Sequence, residues 1–184
     1  SPTPRNVLVI GAGPAGMQAA IIAAQRGHSV RLWEQSDALG GQVRLKELTP
    51  RHQEFSNVIA WRERELKRLG VNVELGVVAT AGDVEAARAD AIVVATGAVT
   101  KSTLRYAPLP HLEHLPGADS SRVHSVHDVF SGTIDGSKRV AVVDAVGYYQ
   151  ASDTVEYLVS KGVGVVAVTH MPRFANDMVH YDRS

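Results

Sequence analysis

The sequence lacks cysteine entirely, although it has 184 residues. Disulfides, thiolate catalysis, iron–sulfur clusters and cysteine-bound zinc all require that residue, so none of these sites lies within the chain. An excess of charge of one sign is also missing, because 19 basic residues balance 19 acidic ones. Without a basic surface there is little to neutralise phosphates, which argues against nucleic-acid binding.

Long apolar runs are absent from the sequence as well. No segment reaches the about 18 consecutive apolar residues that a membrane-spanning helix needs. The start of the chain, Ser1–Arg5, has no apolar signal-peptide region. Because the chain has 184 residues, it is long enough to bury a core without cross-links. We therefore expect a soluble, cytoplasmic, globular protein that binds neither nucleic acid nor a membrane.

Apolar strand-like segments alternate with helix-like segments along the chain. Continuous apolar segments such as Val7–Ile10 are typical of parallel strands covered on both faces. This alternation predicts an α/β fold with a Rossmann-like doubly wound parallel sheet. The predicted strands are Val7–Ile10, Ser29–Trp33, Val71–Leu75, Ala91–Ala95, Arg139–Val143 and Val163–Thr169, and the predicted helices are Met17–Gln25, His52–Leu69, Asp83–Arg88 and Gln150–Ser160.

A long irregular crossover is predicted between Ala98 and Asp128, where prolines and scattered histidines interrupt the pattern. We place a first domain, including this crossover, at residues 1–136. Residues 137–184 then contain only the first βαβ of a second, incomplete Rossmann-like unit. Because a single βαβ cannot easily cover its own sheet, we expect the chain to be part of a longer protein.

The strongest local signal is the segment Gly11–Gly16, which follows a predicted strand and opens a predicted helix. Gly11 permits a tight turn, Gly13 has no Cβ to block a pyrophosphate, and Gly16 lets the helix pack close to the strand. Pro14 suits the first helical turn, where its missing N–H is not needed. The helix N-terminus adds unpaired N–H groups and a partial positive charge, which favour phosphate binding.

An acidic residue and two further glycine sites extend this signal. Glu34 ends the second predicted strand, where its carboxylate can accept hydrogen bonds from ribose hydroxyls and repel a 2′-phosphate. Gly40-Gly41-Gln42 follows in the next loop, and Ala95-Thr96-Gly97 ends a later buried strand. Each of these sites alone is also compatible with a simple turn or strand end. Together with the first glycine loop they favour a long dinucleotide, FAD.

These motifs resemble the FAD domain of the flavoprotein disulfide reductases. Within that group, Gly41-Gln42-Val43, Pro116–Asp119 and the strand Val142–Asp144 followed by Tyr148-Tyr149 are similar to a narrower family. That family contains trimethylamine dehydrogenase, histamine dehydrogenase and 2,4-dienoyl-CoA reductase. The resemblance covers nearly the whole chain and corresponds to part of the C-terminal FAD- or ADP- and NAD(P)-binding region.

The resemblance implies that FAD or ADP is the bound nucleotide, with FMN and a 4Fe-4S cluster only in the expected full-length parent. It also implies partners: the missing TIM barrel, the remaining nucleotide-domain segments, expected beyond Ser184, and an electron-transfer flavoprotein. No catalytic or metal-ligating residue is expected within the chain. The expected cofactor-binding residues are Gly11, Gly13, Pro14, Ala15, Gly16, Glu34, Gln35, Gly41, Gln42, Val43, Val78, Ala95, Thr96 and Gly97.

The second predicted βαβ departs from the pattern of an NAD-binding loop. Glycines would be needed near positions 144, 146 and 149, but the chain has Asp144, Val146 and Tyr149 there. An aspartate puts negative charge where phosphate would bind, and a tyrosine hinders close approach of helix and strand. These residues argue against pyridine-nucleotide binding at this loop, and contacts from another loop are the alternative.

Other chemistry has little support in the sequence. The pairs His111/His114 and His124/His127 lack a third ligand, so we interpret them as solvated loop histidines. The leading hypothesis is therefore a dinucleotide-binding domain of an iron–sulfur flavoprotein oxidoreductase, without turnover of its own. A stand-alone NAD-dependent dehydrogenase and a non-catalytic ADP-binding structural module are the alternatives.

Overall fold

The computed structural model describes residues 3–99, 109, 111–112, 115–132, 134 and 139–178. The chain divides into two compact units. The first comprises Ser1–Glu47 and Gln53–Ala98, and the second comprises Leu48–His52 and Val99–Ser184. The predicted domain boundary at residue 136 lies outside the described residues and stays a prediction.

The first unit contains a sheet of four strands: β1 (Asn6–Ile10), β2 (Ser29–Glu34), β3 (Asn72–Leu75) and β4 (Ala91–Val94). Their order in the sheet is β3-β2-β1-β4. In the inner strand β1, Val9 lies opposite Leu32 on one side and Val93 on the other. All three strand pairs are parallel, which confirms the predicted α/β architecture.

Two helices bury one face of this sheet. Helix α1 (Pro14–Gln25) connects β1 to β2, and helix α3 (Phe55–Arg68) precedes β3. Met17 and Ile21, one turn apart on α1, are fully buried, and burial of such side chains contributes about 1.5–3 kcal/mol each. The core of the first unit consists of Val7, Val9, Ala12, Met17, Ala20, Ile21, Val30, Leu32, Leu66 and Val71.

Two short helices complete the first unit. Helix α2 (Val43–Lys46) was not predicted, since four residues are too few to show a helical period. Helix α4 (Ala81–Ala86) begins two residues before its predicted start, because Thr80 and Asp83 form a reciprocal capping box at that end. Helix α3 begins three residues after the predicted start at His52, which belongs to the second unit.

The second unit contains a βαβ. Strand β5 (Val140–Asp144) pairs in parallel with β6 (Val165–Thr169), and helix α6 (Tyr149–Ser160) connects them. A further helix, α5 (Val126–Phe130), begins within the predicted irregular crossover, extends two residues beyond its end at Asp128, and packs on α6. The buried core of this unit consists of Val129, Val142, Ala151, Leu158 and Val163. No helix in the described part of the chain is long and apolar enough to span a membrane.

Candidate functional site

The loop from β1 to α1 has a backbone that only glycine can adopt at its first position. Gly11 has a φ of +97°, and its N–H donates to the Trp33 carbonyl at 2.7 Å. A Cβ at Gly11 would lie 2.4 Å from the Ala95 carbonyl oxygen. A side chain there would therefore be strained both by the backbone angle and by the adjacent strand end.

The third glycine of the loop sets the distance between helix and strand. A Cβ at Gly16 would lie only 1.8 Å from the Gly11 carbonyl oxygen and 3.2 Å from the Ala95 Cβ. Glycine at this position therefore allows α1 to pack directly against the end of β1, as the sequence predicted.

The middle glycine faces open space. Gly13 is the N-cap residue of α1, no side chain caps that end of the helix, and a Cβ at Gly13 would meet no atom within 4 Å. Pro14 occupies the first helical turn. The positive end of the helix dipole thus points into space that no other part of the first unit fills next to Gly13, and a helix N-terminus of this kind favours an anion. The residues present fit a bound dinucleotide at this position.

Glu34, the last residue of β2, is turned towards the glycine loop. The Ala12 N–H donates to its Oε2 at 2.6 Å. The Ser36 N–H and hydroxyl both donate to Oε1, at 2.9 and 2.8 Å. Oε2 accepts one of these three bonds and keeps a lone pair for a ribose hydroxyl.

Burial and hydrogen bonding act on the Glu34 carboxyl in opposite directions. Burial raises its pKa, but hydrogen bonds from the Ser36 and Ala12 N–H groups, the Ser36 hydroxyl and the Gln35 N–H outweigh that effect and lower the pKa below its ordinary value. Glu34 is therefore negatively charged at neutral pH, although the residue is only 7% exposed. A buried negative charge at this position repels the 2′-phosphate of NADP. The carboxylate can instead accept hydrogen bonds from the two hydroxyls of a ribose that carries no phosphate.

The two other glycine sites converge on the first loop. The Gly40 N–H donates to the Ala12 carbonyl at 2.9 Å, and a Cβ at Gly41 would lie 3.1 Å from the Gly13 Cα. The Gln42 side-chain amide donates to the Ala98 carbonyl. This bond ties the loop after β2 to the loop after β4.

The structure therefore brings most of the predicted site residues together at the carboxyl ends of β1, β2 and β4. Val43 begins α2 directly after this cluster. Val78 lies beyond β3 and is 70% exposed, next to Val77, whose N–H donates to the Glu34 carbonyl at 2.8 Å. The residues at the three strand ends are Gly11, Gly13, Pro14, Ala15, Gly16, Glu34, Gln35, Gly41, Gln42, Ala95, Thr96 and Gly97.

Three residues at the site were missed by the sequence analysis. Ser36 and Ala12 donate to the Glu34 carboxylate, and Ala98 accepts from Gln42. Ser36 could have been found from the sequence, because it lies two residues after Glu34 and serine commonly forms hydrogen bonds with neighbouring groups in turns. The bonds of Ala12 and Ala98 use backbone atoms, so their residue types give no signal.

The two histidine pairs that the sequence analysis interpreted as solvated loop residues lie in the second unit. In one of them, His127 lies in helix α5, whose N-terminus is capped reciprocally by Ser125 and Asp128, and His124 directly precedes that cap. In the other pair, His114 lies outside the described residues. Among the residues that the structure describes, no three His, Asp or Glu side chains converge as a metal site would require.

Comparisons with known proteins match nearly the whole chain. A family profile described as pyridine nucleotide-disulphide oxidoreductase matches residues 5–181. The N,N-dimethylglycine/sarcosine dehydrogenase of Chromohalobacter salexigens is 35% identical over 171 residues, which are 90% of this chain and 23% of that enzyme. The NADH oxidase of Thermoanaerobacter brockii is 36% identical over 180 residues, which are 97% of this chain and 26% of the oxidase.

A solved structure is similar over the same range. Histamine dehydrogenase from Rhizobium sp. 4-9 superposes with a TM-score of 0.82 at 26% sequence identity, covering 95% of this chain and 26% of that one. The chain thus spans about a quarter of the length of these relatives.

Proposed function

Because this chain belongs to the pyridine nucleotide-disulphide oxidoreductase family, we propose that its first unit binds FAD or ADP within a flavoprotein oxidoreductase. The resemblance to amine dehydrogenases and NADH:flavin oxidoreductases that the motifs predicted is confirmed by the relatives. The observation that supports the proposal most strongly is the uncovered N-terminus of α1 at Gly13, where a Cβ would meet no atom within 4 Å.

The ADP part of the nucleotide has matching groups in the first unit. The pyrophosphate faces the first turn of α1 and the backbone of Gly13, where the helix dipole stabilises negative charge. The Glu34 carboxylate would accept hydrogen bonds from the adenosine ribose, and by the family resemblance the exposed Val78 side chain would lie beside adenine. FAD, when bound, supplies the electron transfer, while residues of this chain bind and orient it.

The test of this proposal compares two glycines that both face free space. We expect Gly13→Val to weaken ADP and FAD binding at least about tenfold, about 1.4 kcal/mol, in isothermal titration calorimetry. The unfolding temperature should stay close to that of the unsubstituted protein, because the first atom of the new side chain, its Cβ, meets no protein atom within 4 Å.

Gly82→Val is the matched control for Gly13→Val. Gly82 lies in α4, outside the loops after β1, β2 and β4 that form the proposed site, and its Cβ would come no closer than 3.9 Å to another atom. This variant should bind ADP and FAD with unchanged affinity. Equal affinities of the Gly13 variant and the control would contradict the proposed site.

The nucleotide that is released when the protein is denatured distinguishes bound FAD from bound ADP. A flavin absorption spectrum from the first unit supports FAD, whereas released ADP supports the structural-module alternative. A stand-alone NAD-dependent dehydrogenase is the second candidate, because the Glu34 carboxylate accepts the ribose diol of NAD equally well. Release of NAD alone would favour that candidate.

The activity of the whole protein belongs to the same proposal. By resemblance we propose an N-terminal FMN-binding barrel and a 4Fe-4S cluster in the parent, with an electron-transfer flavoprotein as its partner. The chain itself has no cysteine to ligate such a cluster. Mass measurement of the intact protein, together with its iron and flavin content, tests this arrangement.

A further inference from the structure

The loop between β5 and α6 in the second unit is filled by a side chain of the same loop. Asp144, the last residue of β5, is 1% exposed. Its Oδ1 accepts hydrogen bonds from the Gly147 N–H at 2.7 Å and the Val146 N–H at 3.2 Å. In a dinucleotide-binding βαβ, the backbone N–H groups of this first strand-to-helix turn bind the pyrophosphate. Here the Asp144 carboxylate accepts hydrogen bonds from these N–H groups instead.

A second part of the chain covers the same loop. The Ala175 N–H donates to the other Asp144 oxygen at 2.8 Å, and the Asp177 N–H donates to the Gly147 carbonyl at 2.9 Å. Ala175 is only 6% exposed and has a φ of +53°, which is uncommon for a residue other than glycine. We call Ala175–Met178 the covering segment.

The remaining space at the loop is occupied as well. A Cβ at Gly147 would lie 2.8 Å from the Met171 Sδ and 3.1 Å from an Asp177 carboxylate oxygen. Gly13 in the first unit is the opposite case, because a Cβ there would meet nothing within 4 Å. The first loop is open to a ligand, whereas the second is in contact with its own chain.

We infer that the second unit carries a built-in substitute for a nucleotide phosphate. The Asp144 carboxylate takes the place of the anion, and the covering segment takes the place of the rest of the ligand. The loop therefore does not accept NAD(P)H, since a dinucleotide would meet a buried negative charge and would have to displace a packed segment. This inference concerns only the second unit and does not rest on the proposed function of the first.

Amide hydrogen exchange, followed by mass spectrometry on the intact protein that contains this chain, tests the inference locally. Without nucleotide, the amides of Val146, Gly147 and Ala175 should exchange slowly, because each donates to Asp144. Millimolar NADH or NADPH should leave their exchange unchanged. A change in exchange on adding either nucleotide, or fast exchange of these amides without it, would overturn the inference.

Substitution of the carboxylate tests the role of Asp144 itself. In Asp144→Ala, exchange of these three amides should accelerate about ten- to hundredfold, the range expected for losing hydrogen bonds to a charged group. Asp119→Ala removes an exposed carboxylate elsewhere in the second unit and should leave the three amides unaffected. Unchanged exchange in Asp144→Ala would show that the carboxylate does not hold the loop.

A conservative variant covers the case in which Asp144→Ala fails to fold. Asp144→Asn keeps one acceptor oxygen for the Val146 and Gly147 N–H groups but turns an NH₂ group towards the Ala175 N–H. Exchange should then accelerate at Ala175 and much less at Gly147. The opposite order, with Gly147 more affected than Ala175, would contradict the assignment of the two carboxylate oxygens.

Discussion

At Gly11, Gly13 and Gly16 the same missing side chain has three different consequences. Gly11 adopts a backbone angle of +97° that other residues avoid, and Gly16 allows a helix to touch a strand end. Neither role requires a ligand. Gly13 has an ordinary φ of −68° and free space before it, so its lack of a side chain matters only to a bound molecule.

This difference predicts opposite effects of two similar substitutions. Gly16→Ala should lower the free energy of unfolding by about 1–3 kcal/mol, because its Cβ would overlap the Gly11 carbonyl oxygen and force α1 outward. Gly13→Ala should leave that free energy nearly unchanged. Urea unfolding followed by circular dichroism measures both values, and equal losses for the two variants would refute the distinction.

The Glu34 carboxyl predicts a pH-dependent contribution to stability. Its pKa in the folded protein is lowered, so the stabilisation is complete above the ordinary value of 4.5 and is lost as the pH falls through the folded-state pKa. Glu34→Gln should therefore cost about 1–3 kcal/mol at neutral pH, because it disturbs buried hydrogen bonds from Ala12 and Ser36.

The measurement is the free energy of unfolding of both proteins from pH 7 downwards. The difference in the free energy of unfolding between the unsubstituted protein and Glu34→Gln should become smaller once the pH is below 4.5. Glu63→Gln, on the exposed side of α3, is the control and should show no such gap. A gap that stays constant over the whole pH range would contradict the charge-dependent role of Glu34.

Among the elements, the loops after β2 and β4 are connected by one side chain. The Gln42 amide donates to the Ala98 carbonyl, which holds the Ala95–Gly97 turn beside the first glycine loop. We expect Gln42→Ala to weaken ADP or FAD binding about two- to tenfold, the value of one exposed hydrogen bond, while the unfolding temperature changes little.

Calorimetric titration of the Gln42 variant with ADP measures this effect. Gln53→Ala removes the same side chain at an exposed position before α3 and is the matched control. Loss of affinity in both variants, or in neither, would show that the bond to Ala98 does not position the site.

The long elements were predictable from the sequence because their apolar spacing is regular. Strand β1 and helix α1 were predicted to within three residues at each end, since a buried parallel strand and a small-residue helix have distinctive composition. Helix α5 is too short to show a period, although Ser125 and Asp128 form the capping pattern that marks its start.

Contacts between distant parts of the chain could not be predicted in the same way. The bond from Ala175 to Asp144 joins residues 31 positions apart, and no local pattern at either end indicates it. The sequence showed only that Asp144 is unsuited to phosphate. Likewise, the packing of Leu48–His52 in the second unit depends on tertiary contacts that no periodicity encodes.

For the whole molecule, the two βαβ loops predict different responses to nucleotides. The first has an uncovered helix N-terminus beside a charged Glu34, and the second has Asp144 bonded to its own N–H groups.

The most direct test of the account is a titration of this 19.7 kDa chain with ADP, followed by amide NMR. The account predicts saturable shifts at Ala12–Gly16, at Gly41 and at the residues around Glu34, with no change at Val146, Gly147 or Ala175. Shifts concentrated at the second loop, or absent from the first, would contradict the claim that the glycine turn after β1 is the nucleotide site.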